Sequence, residues 1–283
     1  MATFFNQATL TYNNNIINSN ITTGEILEAL TANKTAIPDT YVQGGDVTYI
    51  INIRNTGTVT RNNLTISDDL GTLTQNGQPR VPLTLVPGSV TYFINGVLQP
   101  DPTVTPGAAL TITGINIPAG GVATILYTAR VNSFAPLDVN DIITNTVTVS
   151  GSGITPITAE ETIIASEEAY LSIIKSLSPT VVMENEQITY SFVIQNRGNT
   201  PVVATDDAII TDTFDPLLSN ITVTFNGVTW TTPANYTYNP ASGLFATNPG
   251  QITVPAATFT QDPVTGETII QPGVSTLTVT GTI

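Results

Sequence analysis

Apolar and polar residues alternate in short runs along most of the chain, and Gly, Pro, Asn or Asp separates one run from the next. Alternation with a period of two is typical of a β-strand that buries one of its faces. Each half of the chain holds about seven such runs, the number expected for an immunoglobulin-like β-sandwich. We therefore predict an all-β chain made of immunoglobulin-like β-sandwich domains.

The two halves of the chain repeat each other. The block Thr48–Gly57 resembles Thr189–Gly198, and the Asn-Gly turn that ends at Gly96 has a counterpart that ends at Gly227. An Asn-Gly pair between alternating runs is a strong signal for a β-hairpin. These matches predict two sandwiches in tandem. The predicted boundaries are an N-terminal arm over 1–25, a first sandwich over 26–160, an acidic linker over 161–169 and a second sandwich over 170–283.

The second repeat is shorter than the first. The first continues beyond Val131 into a last strand, Thr144–Ser150, whereas the second ends at Ile283, the position that matches Val131. The N-terminal arm resembles that last strand, because Asn6 aligns with Asn145 and the following apolar residues share its alternation. The residues that we predict to form a donor strand are Asn6, Ala8, Leu10 and Tyr12.

A sandwich without its last strand exposes an apolar groove and unpaired backbone groups. A strand from another chain fills such a groove, and a donor at one end with an acceptor at the other gives head-to-tail growth. We expect residues 1–20 of one chain to enter the second sandwich of the next chain. Two alternatives stay open: the arm completes the second sandwich of its own chain, or the sequence is truncated.

A Lys, an Asp and an Asn in the first repeat share the face of their apolar neighbours. Because side chains alternate along a strand, Lys34 is on the same face as Leu30, Asp68 on the same face as Leu64, and Asn145 on the same face as Val147. All three side chains are therefore predicted to point inward. One chemistry that uses this trio is a spontaneous Lys–Asn isopeptide bond. In that reaction a buried Lys is a neutral nucleophile and the neighbouring Asp, in its acid form, polarises the carboxamide.

The second repeat holds the matching Lys175 and Asp212, and the two lysines are the only ones in the sequence. An intersubunit bond would then join Lys175, assisted by Asp212, to Asn6 of the neighbouring chain. The alternative is that each Lys forms an ion pair with its Asp or extends to the edge of the sheet, while the Asn bonds to backbone groups.

Composition excludes several classes of function. The sequence has no His and no Cys, which removes His-based acid–base pairs, thiol nucleophiles and the usual zinc sites. Seven Lys and Arg against 21 Asp and Glu give a net charge of −14, which disfavours nucleic acid and anionic lipid as partners. We predict no enzymatic activity, no cofactor, no metal site and no membrane span. The start, Met1–Gln7, lacks the basic region of a secretory signal. We therefore expect either that a leader has been removed or that the protein reaches the outside without export, for example by cell lysis.

The repeated blocks also resemble a known family. The blocks are similar to the repeat of bacterial surface proteins called domain of unknown function eleven. The residues that carry this resemblance are a Lys, then Thr189–Gly198, then Ile210–Phe214 and a late Asn145–Val149. The first copy departs from this pattern at Asp68–Leu70. Two such repeats without a leader are similar to the ribbon-appendage subunits of clostridial endospores.

That resemblance implies a structural or adhesive protein that the mother cell assembles on the spore and releases by lysis. From the residues and the resemblance together we predict a subunit of an extracellular fibre, with copies of itself as its main partner and anchoring or minor appendage proteins as further partners. The alternative is a surface adhesin whose sandwich loops bind a glycan or a host protein.

Overall fold

The structure, a computed structural model, describes residues 2–26, 30–151 and 153–283. Met1, residues 27–29 just after the predicted boundary between arm and first sandwich, and Ser152 lie outside the described residues. The chain divides into two compact units: Met1–Asn132 with Ile143–Ile163, and Ser133–Ile142 with Ile164–Ile283. No helix among the described residues has the length and apolar character needed to cross a membrane.

The N-terminal arm, grouped with unit 1, is a β-hairpin. Its strands are β1 (Ala2–Asn6), β2 (Thr9–Tyr12), β3 (Asn15–Asn18) and β4 (Thr22–Ile26). Strand β1 pairs with β4 and β2 with β3, all antiparallel. Asn13 and Asn14 form the turn, and both adopt positive φ angles of 46° and 61°, which Asn tolerates better than most residues. The predicted donor strand is thus one side of a two-stranded ribbon, interrupted at Gln7 and Ala8.

Unit 1 is a sandwich of two sheets. Its strands are β5 (Leu30–Ile37), β6 (Thr40–Tyr41), β7 (Asp46–Asn55), β8 (Arg61–Asp68), β9 (Leu73–Gln75), β10 (Gln78–Arg80), β11 (Leu83–Leu85), β12 (Thr91–Ile94), β13 (Val97–Leu98), β14 (Thr103–Thr105), β15 (Leu110–Ile117), β16 (Val122–Val131), β17 (Ile142–Ser150) and β18 (Ile157–Ala165). One sheet has the order β13-β12-β16-β7-β5, and β11 also pairs with β16. The other has the order β14-β15-β8-β17-β18-β6.

The core of unit 1 comes from the alternating positions of these strands. In β7 every second residue is buried, and β16 shows the same pattern. Fully buried residues from both sheets include Ile51, Ile53, Leu64, Ile66, Leu110, Ile112, Ile125, Val147 and Val149. The predicted all-β sandwich is confirmed here by the alternation that predicted it.

Unit 2 repeats the first sheet of unit 1 strand for strand. Its elements are β19 (Leu171–Ser178), β20 (Gln187–Asn196), a 3₁₀ turn (Ala204–Asp206), β21 (Thr211–Thr213), β22 (Ser219–Phe225), β23 (Val228–Trp230), β24 (Tyr236–Tyr238), β25 (Leu244–Thr247), β26 (Thr258–Gln261), β27 (Thr268–Gln271) and β28 (Gly273–Thr282). The order β19-β20-β28-β22-β23 corresponds to β5-β7-β16-β12-β13. The tandem repeat of the sandwich is thereby confirmed.

The second sheet of unit 2 is much smaller than that of unit 1. It consists of β21-β25-β24, with an additional bridge between Val202 and Val254. Within the described part of unit 2, no strand corresponds to β17 or β18 of unit 1. The described residues of unit 2 therefore form no counterpart of two neighbouring strands of the unit 1 sheet, where the sequence predicted the loss of one.

The unit boundaries differ from the predicted ones at two places. Strand β18 continues to Ala165, because Ile163 and Ala165 are buried, so the first half of the predicted linker is a strand. Residues 133–142 group with unit 2. They bond to the β26–β27 hairpin, which has no counterpart in the described first repeat. The backbone N–H of Thr268, in that hairpin, donates to Ser133 O at 2.7 Å.

Candidate functional site

The Lys34 site of unit 1 lies between the two sheets. Lys34 is on β5 of one sheet, while Asp68 ends β8 and Asn145 lies on β17 of the other. In the ladder between β17 and β8, Val147 faces Asp68, so Asn145 is two residues further along on the same side of β17. All three side chains are buried, as the alternation predicted.

Hydrogen bonds fix the acid of this site. Lys34 Nζ donates to Asp68 Oδ2 at 2.8 Å, and neither side chain has any exposed surface. The backbone N–H of Leu70 donates to Asp68 Oδ1 at 3.1 Å. Lys34 Nζ also lies over the Tyr49 ring, 4.8 Å from its centre. The carboxylate is therefore held from both sides with one oxygen directed at Lys34.

Tyr127 connects the Asp68 carboxylate to the Asn145 amide, and it was not among the residues predicted from the sequence. Its hydroxyl donates to Asp68 Oδ2 at 2.8 Å and accepts a hydrogen bond of 2.8 Å from Asn145 Nδ2. The Tyr127 ring stacks on Tyr49 with 5.3 Å between centres. The signal that could have found Tyr127 is its inward position in the alternation of β16, opposite Tyr49 of β7.

Two buried oxygen atoms of the Lys34 site have no hydrogen-bond partner among the described residues, Tyr49 Oη and Asn145 Oδ1. A buried polar atom without a partner costs about 1–3 kcal/mol, and such atoms are uncommon in folded proteins. The amide oxygen of Asn145 therefore lies in an environment that costs free energy.

Burial controls the proton affinities of this site. Desolvation lowers the pKa of Lys34 below 10.5, although the charges of Asp68, Asp69 and Glu161 oppose the change. Desolvation also raises the pKa values of Tyr49 and Tyr127 above 10.0. The lowered pKa of Lys34 favours the neutral amine, which is the nucleophilic form of the side chain.

The second repeat places Lys175 and Asp212 together in the same way. Lys175 Nζ forms an ion pair with Asp212 Oδ2, and it lies 4.7 Å from the centre of the Tyr190 ring, which matches Tyr49 in the repeat. The side chains are 42% and 17% exposed, in contrast to the pair in unit 1. Unit 2 supplies no amide at the position of Asn145, and the predicted partner Asn6 belongs to the arm, which groups with unit 1.

The partly exposed Lys175–Asp212 pair lies beside an uncovered strand edge in unit 2. Strand β21 is the last strand of its sheet, whereas its counterpart β8 lies between β15 and β17. Leu171 is 44% exposed, but the matching Leu30 of β5 is only 3% exposed. Ile173, on the same face of β19, is 55% exposed. The surface that unit 1 covers thus remains open to solvent in unit 2.

The N-terminal arm also exposes apolar side chains, as the uncovered surface of unit 2 does. Its apolar side chains are more than half exposed, namely Phe4, Phe5, Leu10, Tyr12, Ile16, Ile17 and Ile21. Its four predicted donor residues, Asn6, Ala8, Leu10 and Tyr12, are likewise exposed. Within the ribbon, Phe4 lies against Gly24, where a side chain would overlap its ring. The described residues of the arm therefore carry an apolar surface that is open to solvent.

Among the described residues, no group of three or more His, Cys, Asp or Glu side chains is arranged to hold a metal ion. The acidic pair Asp206 and Asp207 lies at the 3₁₀ turn, where Asp206 Oδ2 accepts a hydrogen bond of 2.8 Å from the Val203 N–H. That carboxylate therefore caps a turn.

The chain matches no protein-family model and no curated protein. It is similar to the collagen-binding domain from a Staphylococcus aureus adhesin, with 12% identity and a TM-score of 0.31 over 50% of this chain and 99% of that one. It is also similar to the pilus backbone RrgB from Streptococcus pneumoniae, with 13% identity and a TM-score of 0.34 over 86% and 55% of the two chains. A further similar structure is BcpA, the major pilin subunit of Bacillus cereus, with 11% identity and a TM-score of 0.36 over 95% and 73%.

Proposed function

We propose that the protein is a structural subunit of an extracellular fibre that grows head to tail, each chain inserting its N-terminal arm into unit 2 of a neighbour. One observation carries this proposal: unit 2 has an uncovered apolar strand edge, and the arm is an uncovered apolar ribbon whose sequence matches the strands that cover that edge in unit 1. Filling a strand edge with an extended segment satisfies both the backbone and the apolar surface.

The arm has the right number of strands for this role. Unit 1 places β17 and β18 side by side in one sheet, and unit 2 has a counterpart of neither in its described residues. The arm has two antiparallel sides, β1–β2 and β3–β4. The first side resembles β17 and the second, from Ile21 to Glu25, resembles the start of β18 at Ile157. We infer that the ribbon enters the groove as a pair of strands.

The register of the inserted ribbon follows from unit 1. There Val147 faces Asp68 and Val149 faces Ile66. With Asn6 at the position of Asn145, Ala8 faces Asp212 and Leu10 faces Ile210. Leu10 then enters the core of unit 2, and burying a side chain of this size contributes about 1.5–3 kcal/mol.

Such an insertion places Asn6 beside the Lys175–Asp212 pair. Unit 1 offers the intramolecular version, in which Lys34, Asp68 and Asn145 are buried together. We propose that Lys34 and Asn145 form an isopeptide bond, and that Lys175 and Asn6 of the neighbouring chain form the intersubunit equivalent. We also propose that the fibre is an appendage on a bacterial endospore. This proposal is supported by the resemblance of the repeat blocks to the ribbon-appendage subunits of clostridial endospores.

The experiment that tests the proposal compares two substitutions in the arm by negative-stain electron microscopy. Leu10→Lys places a charge at a position that faces the core after insertion, whereas Thr11→Lys places it on the opposite face. We expect fibres from the unmodified chain and from Thr11→Lys, and monomers from Leu10→Lys. Fibres of normal length from Leu10→Lys would contradict arm insertion, and monomers from the unmodified chain would contradict the proposal as a whole.

A further inference from the structure

The Tyr127 hydroxyl touches both the acid and the amide of the Lys34 site. We propose that Tyr127 is a catalytic residue of isopeptide formation, which transfers a proton to the departing nitrogen of Asn145. The inference rests on the proposed Lys34–Asn145 bond and adds to it a role that the Lys, Asp and Asn alone do not fill.

Geometry assigns this role to Tyr127. Asp68 Oδ2 accepts hydrogen bonds from both Lys34 Nζ and the Tyr127 hydroxyl, each at 2.8 Å. Asn145 Nδ2 donates to the oxygen of Tyr127, also at 2.8 Å. A continuous chain of hydrogen bonds thus runs from the attacking nitrogen to the leaving nitrogen. Asp68 and Asn145 are both fully buried, so bulk water does not reach the leaving group.

The reaction needs one proton to move between these two nitrogen atoms. The neutral amine of Lys34 attacks Cγ of Asn145, the new C–N bond forms, and the π electrons of the carbonyl move to Oδ1. The attacking nitrogen then carries one proton too many, and Nδ2 needs one proton to leave as ammonia. Without such a proton the leaving group would be an amide anion, which is a very poor leaving group in a buried site.

The relay balances this step. Asp68 starts as the carboxylate, the form that accepts the hydrogen bonds of Lys34 and Tyr127, and not in the acid form expected from the sequence. Its Oδ2 takes the proton from Lys34 Nζ and passes it to the Tyr127 oxygen, while Tyr127 gives its own proton to Nδ2. The Cγ–Nδ2 bond breaks, the electron pair on Oδ1 restores the carbonyl, and ammonia departs. Asp68 and Tyr127 end in the protonation states in which they began, so the net reaction joins amine and amide with loss of one ammonia.

The second repeat provides an internal comparison. Tyr127 faces Tyr49 in the ladder of unit 1, and the residue that faces the matching Tyr190 in unit 2 is Val279. Unit 2 therefore has the Lys and the Asp of the first site, but an aliphatic side chain where the relay hydroxyl would be. The proposal consequently predicts faster bond formation in unit 1 than between Lys175 and Asn6.

The test follows bond formation during refolding of the full chain. The background variant is Asn6→Ala, which excludes the intersubunit bond, and the chain is purified unfolded in denaturant and diluted into buffer. Quenched samples are analysed by intact mass for loss of ammonia and by peptide mapping for the Lys34–Asn145 link. Tyr127→Phe removes the hydroxyl and keeps the stacked ring. Tyr92→Phe is the matched control, because it removes a buried hydroxyl that donates to Asn116 O at 2.7 Å away from the site.

We expect Tyr92→Phe to form the bond at the rate of the background chain. Tyr127→Phe should refold normally by circular dichroism but form the bond roughly 10²-fold more slowly, the size of effect typical of a lost general acid. Bond formation in the background chain should also be slower in heavy water, because the relay transfers exchangeable protons. A Tyr127 ring that served only to pack the site would not by itself cause this difference.

Three results would overturn the relay. Bond formation by Tyr127→Phe at the control rate would remove Tyr127 from the chemistry and leave the proposed bond intact. The absence of any ammonia loss in the background chain would overturn the bond and the relay together, while fibre growth by arm insertion would stand on its own electron-microscopy test. Should Tyr127→Phe fail to fold, equal rates in light and heavy water would overturn the relay.

Discussion

At the scale of single residues, the two Lys–Asp pairs differ by the strands that cover them. Lys34 and Asp68 have no exposed surface, whereas Lys175 retains 42% exposure next to Asp212. Removing one partner of a buried pair leaves an uncompensated charge, whereas a partly exposed pair is screened by solvent and contributes less. The same substitution in the two repeats should therefore have very different effects on stability.

We predict that Asp68→Ala lowers the free energy of unfolding of unit 1 by about 3–5 kcal/mol. The matched Asp212→Ala should cost clearly less in unit 2 of the monomer, because the Lys175–Asp212 pair is partly exposed to solvent. Both are made in an Asn145→Ala background, so that loss of the isopeptide bond does not contribute. Urea unfolding measures the change, with Trp230 fluorescence reporting on unit 2, where the lone Trp lies. Equal effects of the two substitutions would contradict the difference in burial.

The buried tyrosines predict the response of unit 1 to alkaline pH. Burial raises the pKa values of Tyr49 and Tyr127 above 10.0, so the folded state keeps protons that the unfolded chain loses. The two tyrosines therefore contribute a loss of stability as pH rises above the unfolded value of about 10, while the lowered pKa of Lys34 contributes in the opposite direction. Lys34 and Asp68 are the charged groups in direct contact with the two rings and hydroxyls.

We expect the urea midpoint of Asn145→Ala to drop between about pH 9 and about pH 11. The drop should be smaller when Tyr127→Phe is added to that background. A midpoint that stays constant over this range, or a drop that Tyr127→Phe does not reduce, would contradict the assignment.

At the scale of secondary-structure elements, strand β19 shows what the missing strands would cover. Ile173 and Ile174 are adjacent and almost equally exposed, at 55% and 56%, but they lie on opposite faces of the strand. Ile173 matches Ala32, which is half-buried in unit 1, while Ile174 matches the exposed Asn33. Only the face of Ile173 should meet an inserted ribbon.

We predict that Ile173→Glu abolishes fibre growth and that Ile174→Glu does not. A carboxylate at the first position would be buried without a partner on insertion, at a cost of several kcal/mol. Sedimentation of assembled material at equal protein concentration measures the difference. Equal assembly by both variants would show that this face of β19 is not the acceptor surface.

The sequence predicted the elements whose patterns are local. Alternation identified the sandwiches and the inward positions of Lys34, Asp68 and Asn145, because one face of each strand must be apolar. The ribbon shape of the arm was not predicted, since the Asn13–Asn14 turn is a weaker hairpin signal than Asn-Gly. Tyr127 was also missed, because an inward Tyr reads as core until its hydrogen-bond partners from other strands are known.

The shared boundary of the two units was harder to predict than either sandwich. The β26–β27 hairpin bonds to residues 133–142, which are far away in the sequence, so no local pattern indicates it. Strand β18 extends beyond its predicted end because its last apolar residues are buried, whereas their acidic neighbours suggested a solvated linker. Tertiary contacts decided both boundaries.

At the scale of the whole molecule, a donor and an acceptor on one chain form a contact between two different surfaces. Such contacts grow into open filaments unless the rotation between subunits closes a ring. If the intersubunit bond forms, the filament is also covalent. Assembly therefore has a non-covalent step, arm insertion, and a covalent step that depends on Asn6.

We predict that Asn6→Ala still forms fibres but that these dissociate to monomers on boiling in SDS. Asn18→Ala, at another exposed Asn of the arm, should behave like the unmodified chain and leave a ladder of covalent oligomers on the gel. Because unit 2 has Val279 in place of the relay hydroxyl, the ladder should develop slowly after assembly. A ladder from Asn6→Ala would contradict the assignment of Asn6.

The most direct test of head-to-tail insertion mixes two chains that are each unable to polymerise. Leu10→Lys disables the donor, and Ile173→Glu disables the acceptor. An equimolar mixture, studied by size-exclusion chromatography with light scattering, should give a dimer, because the intact arm of the second chain enters the intact groove of the first and no further site remains. Each chain alone should stay monomeric. Fibres from either variant alone, or a mixture that stays monomeric, would contradict the account.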